Sequence, residues 1–346
     1  MTQPAFLNSD WISAFAAVFD KCAIRRDEQL ILLTETASNA LNTEIAALAL
    51  GQLGCHPVQL KLPSPREPAG PVVRSSGASA ALEGQPLAVK MLQEADIVID
   101  MTAEGLMHAP QTPSILQSGT RIMNISQEHP DCLTRLIPQA EMKDRVREAV
   151  ARARSAKQMR VISAHGTELT IEMAGAATVG IWGWTDRPGT LAHWPGGLVV
   201  SFPQAGAVNG RLVMAPGDAN LSFKRYIEQP VTLTISEDYI TQITGDGSDA
   251  QLMKDYLADF DSPEAYATSH VGWGLNEAAR PEALCIYDKS DTNGTELRAA
   301  AGNFLYSTGA NEFAGRFSRG HFDLPMFGCD ILLDDKFVVQ AGKLVD

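Results

Sequence analysis

The chain has 346 residues, 45% hydrophobic and 20% charged, a balance that suits folded domains with cores of their own and excludes a disordered or low-complexity protein. Its formal net charge of −13 repels phosphate backbones and anionic lipid, so nucleic-acid and membrane-surface partners are excluded. No stretch approaches the ~18 consecutive apolar residues of a membrane span, and Asp10 and Asp20 stand where a signal peptide would be basic and then apolar, so a cytoplasmic location is expected.

Along the chain, Asp10–Phe19 has helical spacing and Gln29–Leu33 reads as a buried strand. Thr36–Leu53 repeats apolar residues at helical spacing and stops at Gly54; Val58–Leu62 is the next strand, before a Pro-rich loop from Pro63. A helix near Leu87–Glu94, the apolar run Ile97–Ile99 closed by Asp100, a strand at Thr120–Ile125 and a charged helix from Gln139 to Ala156 continue the alternation of an open α/β sheet. No G-x-G-x-x-G follows any of these strands, which removes the support for a dinucleotide site. After Lys157 the pattern turns to strands, at Met159–Ser163, Leu169–Met173, Leu198–Ser201 and the hairpin-like Val231–Ile243. A helix at Asp249–Phe260 and a closing hairpin at Asp330–Gln340, turning at Asp334-Asp335, complete it. The expected organisation is an N-terminal open α/β sheet domain, residues 1–157, followed by a β-rich α+β metal-binding domain, residues 158–346.

The five cysteines, Cys22, Cys55, Cys132, Cys285 and Cys329, form no C-x-x-C pair and read as small buried hydrophobes. The histidines can be weighed singly. In Gly320-His321-Phe322-Asp323-Leu324-Pro325 an extended backbone turns His321 and Asp323 to one face, which supplies two of the three donors of a facial iron(II) site; the plain alternative is a surface His–Asp hydrogen bond. Ser269-His270-Val271-Gly272-Trp273-Gly274 reads either as a loop lining a ligand pocket, with Trp273 as a wall, or as a core histidine in a glycine-rich turn. His193 and His108 lie beside breakers in loops, where each is an acid–base candidate or an ordinary loop histidine. No role attaches to His56, His129 or His165. Serine-hydrolase elbows, H-E-x-x-H and Walker loops are missing, and Gly245–Asp249 lacks the spacing of a calcium loop.

Three stretches, 269–276, 302–309 and 321–325, with 329–335, Asp186-Arg187-Pro188-Gly189, His193-Trp194-Pro195 and Leu106–Pro110, resemble the 2,5-dihydroxypyridine 5,6-dioxygenases in order and spacing. That family is similar in fold to thermophilic metallo-aminopeptidases. The resemblance implies iron(II) on His270, His321 and Asp323, with His108 and His193 lining a substrate pocket walled by Trp273, Tyr306 and Ile181. Ile181 stands where the family is expected to carry a glutamate. It further implies a small aromatic substrate and O2 as reactants, ring opening between carbons 5 and 6, and, by analogy, a homo-oligomer. With a free imidazole pKa near ~6.5, His193 or His108 would take the substrate's hydroxyl proton. The rival readings are a metal-dependent aminopeptidase or amide hydrolase on the same scaffold and a non-catalytic binding protein.

Overall fold

The computed structural model describes residues 7–64 and 76–345; the Pro-rich loop expected from Pro63 lies, beyond Ser64, outside the described residues. Its first part is α1 (Ser9–Lys21), β1 (Leu30–Glu35), α2 (Ala40–Gln52), β2 (Val58–Leu62), α3 (Pro86–Gln93), β3 (Ile97–Asp100), α4 (Thr112–Gln117), β4 (Arg121–Ile125), α5 (Pro130–Arg135) and α6 (Glu141–Ser155). The predicted elements are all there, with boundaries moved by a few residues. Asn8 caps α1 by accepting from Asp10 N at 2.9 Å, and Asn39 caps α2 by accepting from Asn42 N at 3.0 Å. The asparagine at 39 explains why α2 begins later than its apolar spacing suggested.

The second part begins with β5 (Gln158–Ser163), β6 (Glu168–Glu172), β7 (Ala177–Ile181), β8 (Leu191–Trp194), β9 (Leu198–Phe202) and β10 (Val208–Met214). The short β11 (Ala219–Asn220) and β12 (Arg225–Tyr226), then β13 (Val231–Ser236), β14 (Tyr239–Thr244), α7 (Ser248–Ala258) and β15 (Thr268–Gly274) follow. The chain closes with α8 (Ala283–Ile286), α9 (Thr295–Ala299), β16 (Phe304–Thr308), β17 (Asp323–Met326), β18 (Cys329–Leu333), β19 (Lys336–Gln340) and β20 (Lys343–Leu344). Asp334 and Asp335 turn the last hairpin with φ of 46° and 65°, the left-handed pair such a turn requires.

Besides the two-stranded β11-β12, the described residues form three larger sheets. The first is parallel, in the order β2-β1-β3-β4-β8, and its central strands β3 and β4 are buried along their whole length, as both-sided coverage by helices demands. The second is eight-stranded, β14-β13-β10-β6-β5-β18-β19-β20, and the third is β17-β16-β15-β9-β7. β8 comes from beyond residue 157 and joins the first sheet beside β4, Asn124 opposite His193. The strand crosses the division expected at 157/158, because a four-residue parallel pairing with β4 leaves no local periodic signal.

The stripe Met142, Val146, Ala149 and Ala153 of α6 packs into the larger core beside β7 and β9. Gly180 in β7 lets that helix approach, since a Cβ there would stand 2.4 Å from the Val146 side chain. Cys22, Cys55, Cys132 and Cys329 are buried as expected, but Cys285 is exposed, because it lies at the surface turn of α8.

Candidate metal centre and reaction cavity

The carboxyl ends of the parallel strands face the third sheet, and a cavity of about 370 Å³ lies between them. Strand ends are where an open α/β sheet leaves a crevice. From the first sheet come Asn124, Ser126, His193 and the loop carrying His108; from the third come Phe202, His270, Leu305 and Asp323, with His321 just ahead of β17.

His270 is on a strand rather than in the glycine-rich loop the sequence suggested. Gly272 and Gly274 are there for close packing: a Cβ on Gly272 would meet Val199 O at 2.0 Å, and one on Gly274 would meet Ala300 O at 2.2 Å. Alternation along β15 then turns His270 into the cavity and Val271 and Trp273 into the core. Tyr306 pairs with Val271 and points the same way, its hydroxyl 2.9 Å from Thr268 Oγ1. Trp273 and Tyr306 are therefore core residues and not pocket walls. Ile181, by contrast, does line the cavity and is buried.

His321 and Asp323 flank Phe322, which goes into the core while they face the cavity. His321 Nε2 is 3.2 Å from Asp323 Oδ2, and His270 Nε2 is 3.6 Å from Asp323 Oδ1. The two imidazole centroids are 6.1 Å apart. Among the described residues no three His, Cys, Asp or Glu donors are drawn up into a complete metal cage; what is drawn up is one carboxylate flanked by two imidazole nitrogens. Two donors bonded at ~2.1 Å and at right angles stand ~3 Å apart, so these separations suit neighbouring ligands of one divalent ion.

Proton accounting makes the fit more specific. Ser269 Oγ donates to Ala310 O and lies 3.0 Å from His270 Nδ1, which assigns the His270 proton to Nδ1 and leaves Nε2 a lone pair. That lone pair, 2.9 Å from Ser307 Oγ, and the Asp323 Oδ1 that Ser307 also contacts share a single hydroxyl proton. Two acceptors facing one donor leave a deficit of positive charge that a cation would fill.

Arg298 of α9, which sequence reasoning missed, shares Asp323 Oδ2 with His321, its Nε donating to that oxygen at 2.5 Å. Although burial alone would raise it, Asp323 is held well below the usual carboxylate range by Arg298, His321 and His270. α9 is in turn tied to the first sheet's side of the cavity: Glu128 accepts from Gly294 N at 2.8 Å and Thr295 N at 2.6 Å.

His193 sits on β8 rather than in a loop and gives Nδ1 to Pro195 O at 2.6 Å. A carbonyl only accepts, so Nδ1 carries the proton and Nε2 is free to receive one. His108 stacks on His270 with centroids 6.3 Å apart and 22° between planes, and Phe202 packs beside both. Burial pushes both His108 and His193 down to about 4, not the ~6.5 of a free imidazole, so both are neutral at pH 7. Asp100 organises the loop leading to His108 by accepting from Thr102 N, Leu106 N and Asn124 Nδ2 at 2.8–3.0 Å.

A family model described as 2,5-dihydroxypyridine 5,6-dioxygenase matches residues 10–346. A curated 2,5-dihydroxypyridine 5,6-dioxygenase from Pseudomonas putida KT2440 is 33% identical over 342 residues, covering 98% of this chain and 97% of that protein. The solved structure of 2,5-dihydroxypyridine dioxygenase from the same organism superposes with a TM-score of 0.91 at 32% identity, over 98% of each chain. Wild-type AmpT from Thermus thermophilus shares the fold, with a TM-score of 0.66 at 15% identity over 97% of this chain and 99% of that one.

Proposed function

The chain belongs to the 2,5-dihydroxypyridine 5,6-dioxygenase family, and we propose that it opens the ring of a hydroxylated N-heteroaromatic such as 2,5-dihydroxypyridine, using iron(II) held by His270, His321 and Asp323. The observation that carries the proposal is the buried Asp323 carboxylate met from two sides by imidazole Nε2 atoms at 3.2 and 3.6 Å. Bound there, iron(II) would supply open coordination positions for a chelating ring oxygen and for O2, and the one-electron chemistry that lets the two react.

The protein's own residues do the rest. Arg298 keeps Asp323 anionic and oriented, and Ser307 bridges Asp323 to His270. His193 is the base: its tautomer is fixed by Pro195 O, and its Nε2 accepts the ring hydroxyl proton as the substrate binds. Depressed basicity keeps that acceptor unprotonated before substrate arrives. His108 and Phe202, whose rings stand at 66° to one another, give an aromatic corner in which a planar ring can pack on one face and edge. The bond between carbons 5 and 6 breaks and both oxygen atoms enter the product, an N-formyl amide acid.

Ile181 makes one wall apolar where the family is expected to present a carboxylate. A polar ring atom facing it unpaired would cost ~1–3 kcal/mol, which favours a ring that is less polar or differently substituted on that edge. The amide-hydrolase alternative is not favoured, since family membership and two imidazoles on a single carboxylate fit a mononuclear oxygen site better than a bridged two-metal one. The reading is tested by anaerobic reconstitution with iron(II) and an oxygen electrode. One O2 consumed per 2,5-dihydroxypyridine, or per related hydroxypyridine, is expected. No oxygen uptake with any of them, together with amino-acid release from peptides by the zinc-loaded protein, would overturn it.

A further inference from the structure

On the other side of the β7 wall formed by Val179, Gly180 and Ile181 lies a second cleft of about 760 Å³, which shares those residues and Leu191 with the reaction cavity. Its lining holds Lys143, Arg147, Arg154 and Arg187 and no Asp or Glu. That is a local reversal of charge, since Asp and Glu outnumber Lys and Arg by 41 to 28 in the whole chain. Asp186, behind the lining, holds Lys143 at 2.5 Å, and Arg154 gives one N–H to Thr178 O at 2.7 Å. Arg147 and Arg187 stay exposed at the rim. Like charges gathered in a concave, partly apolar place focus a positive potential that an anion relieves.

The other wall is aromatic. Trp182 and Trp184 meet edge to face at 6.3 Å, Lys143 lies 5.3 Å from the Trp182 centroid, and Arg187 lies 5.8 Å from it. Indole faces accept flat groups, and the flanking cations suit a carboxylate carried on them. We propose that this cleft binds the small planar carboxylate that ring opening produces, beside the cavity in which it forms. The identity of the ligand rests on the ring-opening reading, which turns a ring without a carboxylate into an acid.

Maleamate, a flat unsaturated amide acid, is the probe, and tryptophan emission is the readout. Among the described residues the reaction cavity has no tryptophan in its lining, whereas the cleft has two, so a saturable change reports the cleft. Saturation is expected in the wild type and equally in His270→Ala, which does not turn over. It should weaken about tenfold or more in Arg147→Glu/Arg187→Glu, weaken with added salt, and be missing with the neutral diamide and in Trp182→Phe/Trp184→Phe. No saturable change, or equal affinity in the charge-reversed variant, would overturn the cleft even if oxygen uptake is normal. A change of molar mass by light scattering in that variant would overturn it too, by making the cleft a seam between copies. Saturation in His270→Ala supports the cleft even if the oxygen assay fails.

Discussion

Replacing Arg298 with alanine removes the cation whose Nε stands 2.5 Å from Asp323 Oδ2, at a place where the two side chains are 10% and 4% exposed. Two charges ~4 Å apart interact by about 4 kcal/mol at an effective dielectric near 20, and removing one partner of a buried pair costs about 3–5 kcal/mol, because the other is left uncompensated. At roughly 2 °C per kcal/mol for a long chain, metal-free Arg298→Ala should melt about 6–10 °C below the wild type at pH 7. Arg298→Lys should recover part of the loss, since it restores charge without the guanidinium fork. Added divalent metal should narrow the gap, because an ion on Asp323 replaces the missing positive charge and stabilises only the folded state. The assay is calorimetric or circular-dichroism melting of chelator-treated protein, with and without added iron(II) under anaerobic conditions. An alanine variant melting within about 1 °C of the wild type would refute the reasoning that Arg298 holds Asp323 as a buried carboxylate.

His270→Ala, His321→Ala and Asp323→Ala should each lose bound iron and turnover, and full iron content by elemental analysis in any one of them removes that residue from the ligand set. For His193→Ala iron should stay while kcat falls by ~10²–10⁴-fold; an unchanged rate in single-turnover oxygen uptake would end its role as base. Burial holds His108, His193 and His270 at about 4, 4 and 3, below their unfolded value of ~6.5, so the unfolded chain binds protons that the folded one refuses. The stability this contributes is fully present above pH ~6.5 and is lost as pH falls toward 4. Burial pushes Asp100, Glu128 and Asp218 up to about 6, 7 and 6, which acts in the opposite sense, so the check is a difference. Between pH 7 and 5 the urea midpoint of metal-free wild type should change less favourably than that of His108→Gln/His193→Gln, and identical changes would contradict the burial of these rings. Ile181→Glu should shift preference toward rings with a hydrogen-bond donor on that edge, read as a ratio of kcat/KM values between two hydroxypyridines; an unchanged ratio would show that Ile181 does not face the substrate.

Much of this architecture is written locally. The parallel strands are short apolar runs between helices with their own capping asparagines, and the last hairpin announces itself through two aspartates that tolerate positive φ. His321 and Asp323 share a face because they are two apart on extended backbone, and that parity was legible in six letters. Glycine misled the reading of 269–274. In isolation Gly272 and Gly274 signal a turn, yet here they admit the carbonyls of Val199 and Ala300 against a strand, a contact made by residues about 70 and 26 positions away.

The same parity, taken one step further, excludes Trp273 and Tyr306 from the cavity. If His270 faces the cavity, a residue three positions on faces away, and antiparallel pairing of Val271 with Tyr306 carries that orientation to the next strand while turning Leu305 and Ser307 inward. Ser307 was therefore within reach of inference from the pairing, although not from its own neighbours. Arg298 and His193 were not. Arg298 stands on a five-residue helix whose placement depends on Glu128 from the other side of the cavity, and His193 on a four-residue strand that pairs with β4 across some 70 residues. Local sequence carries periodicity, caps and turns; it carries no term for pairings of that length. The residues that decide the chemistry here, a carboxylate kept ionised by an arginine and a histidine kept neutral by burial, get their properties from those distant partners. The metal-ligand types could thus be expected from the chain, while the protonation states that make them useful had to come from the fold.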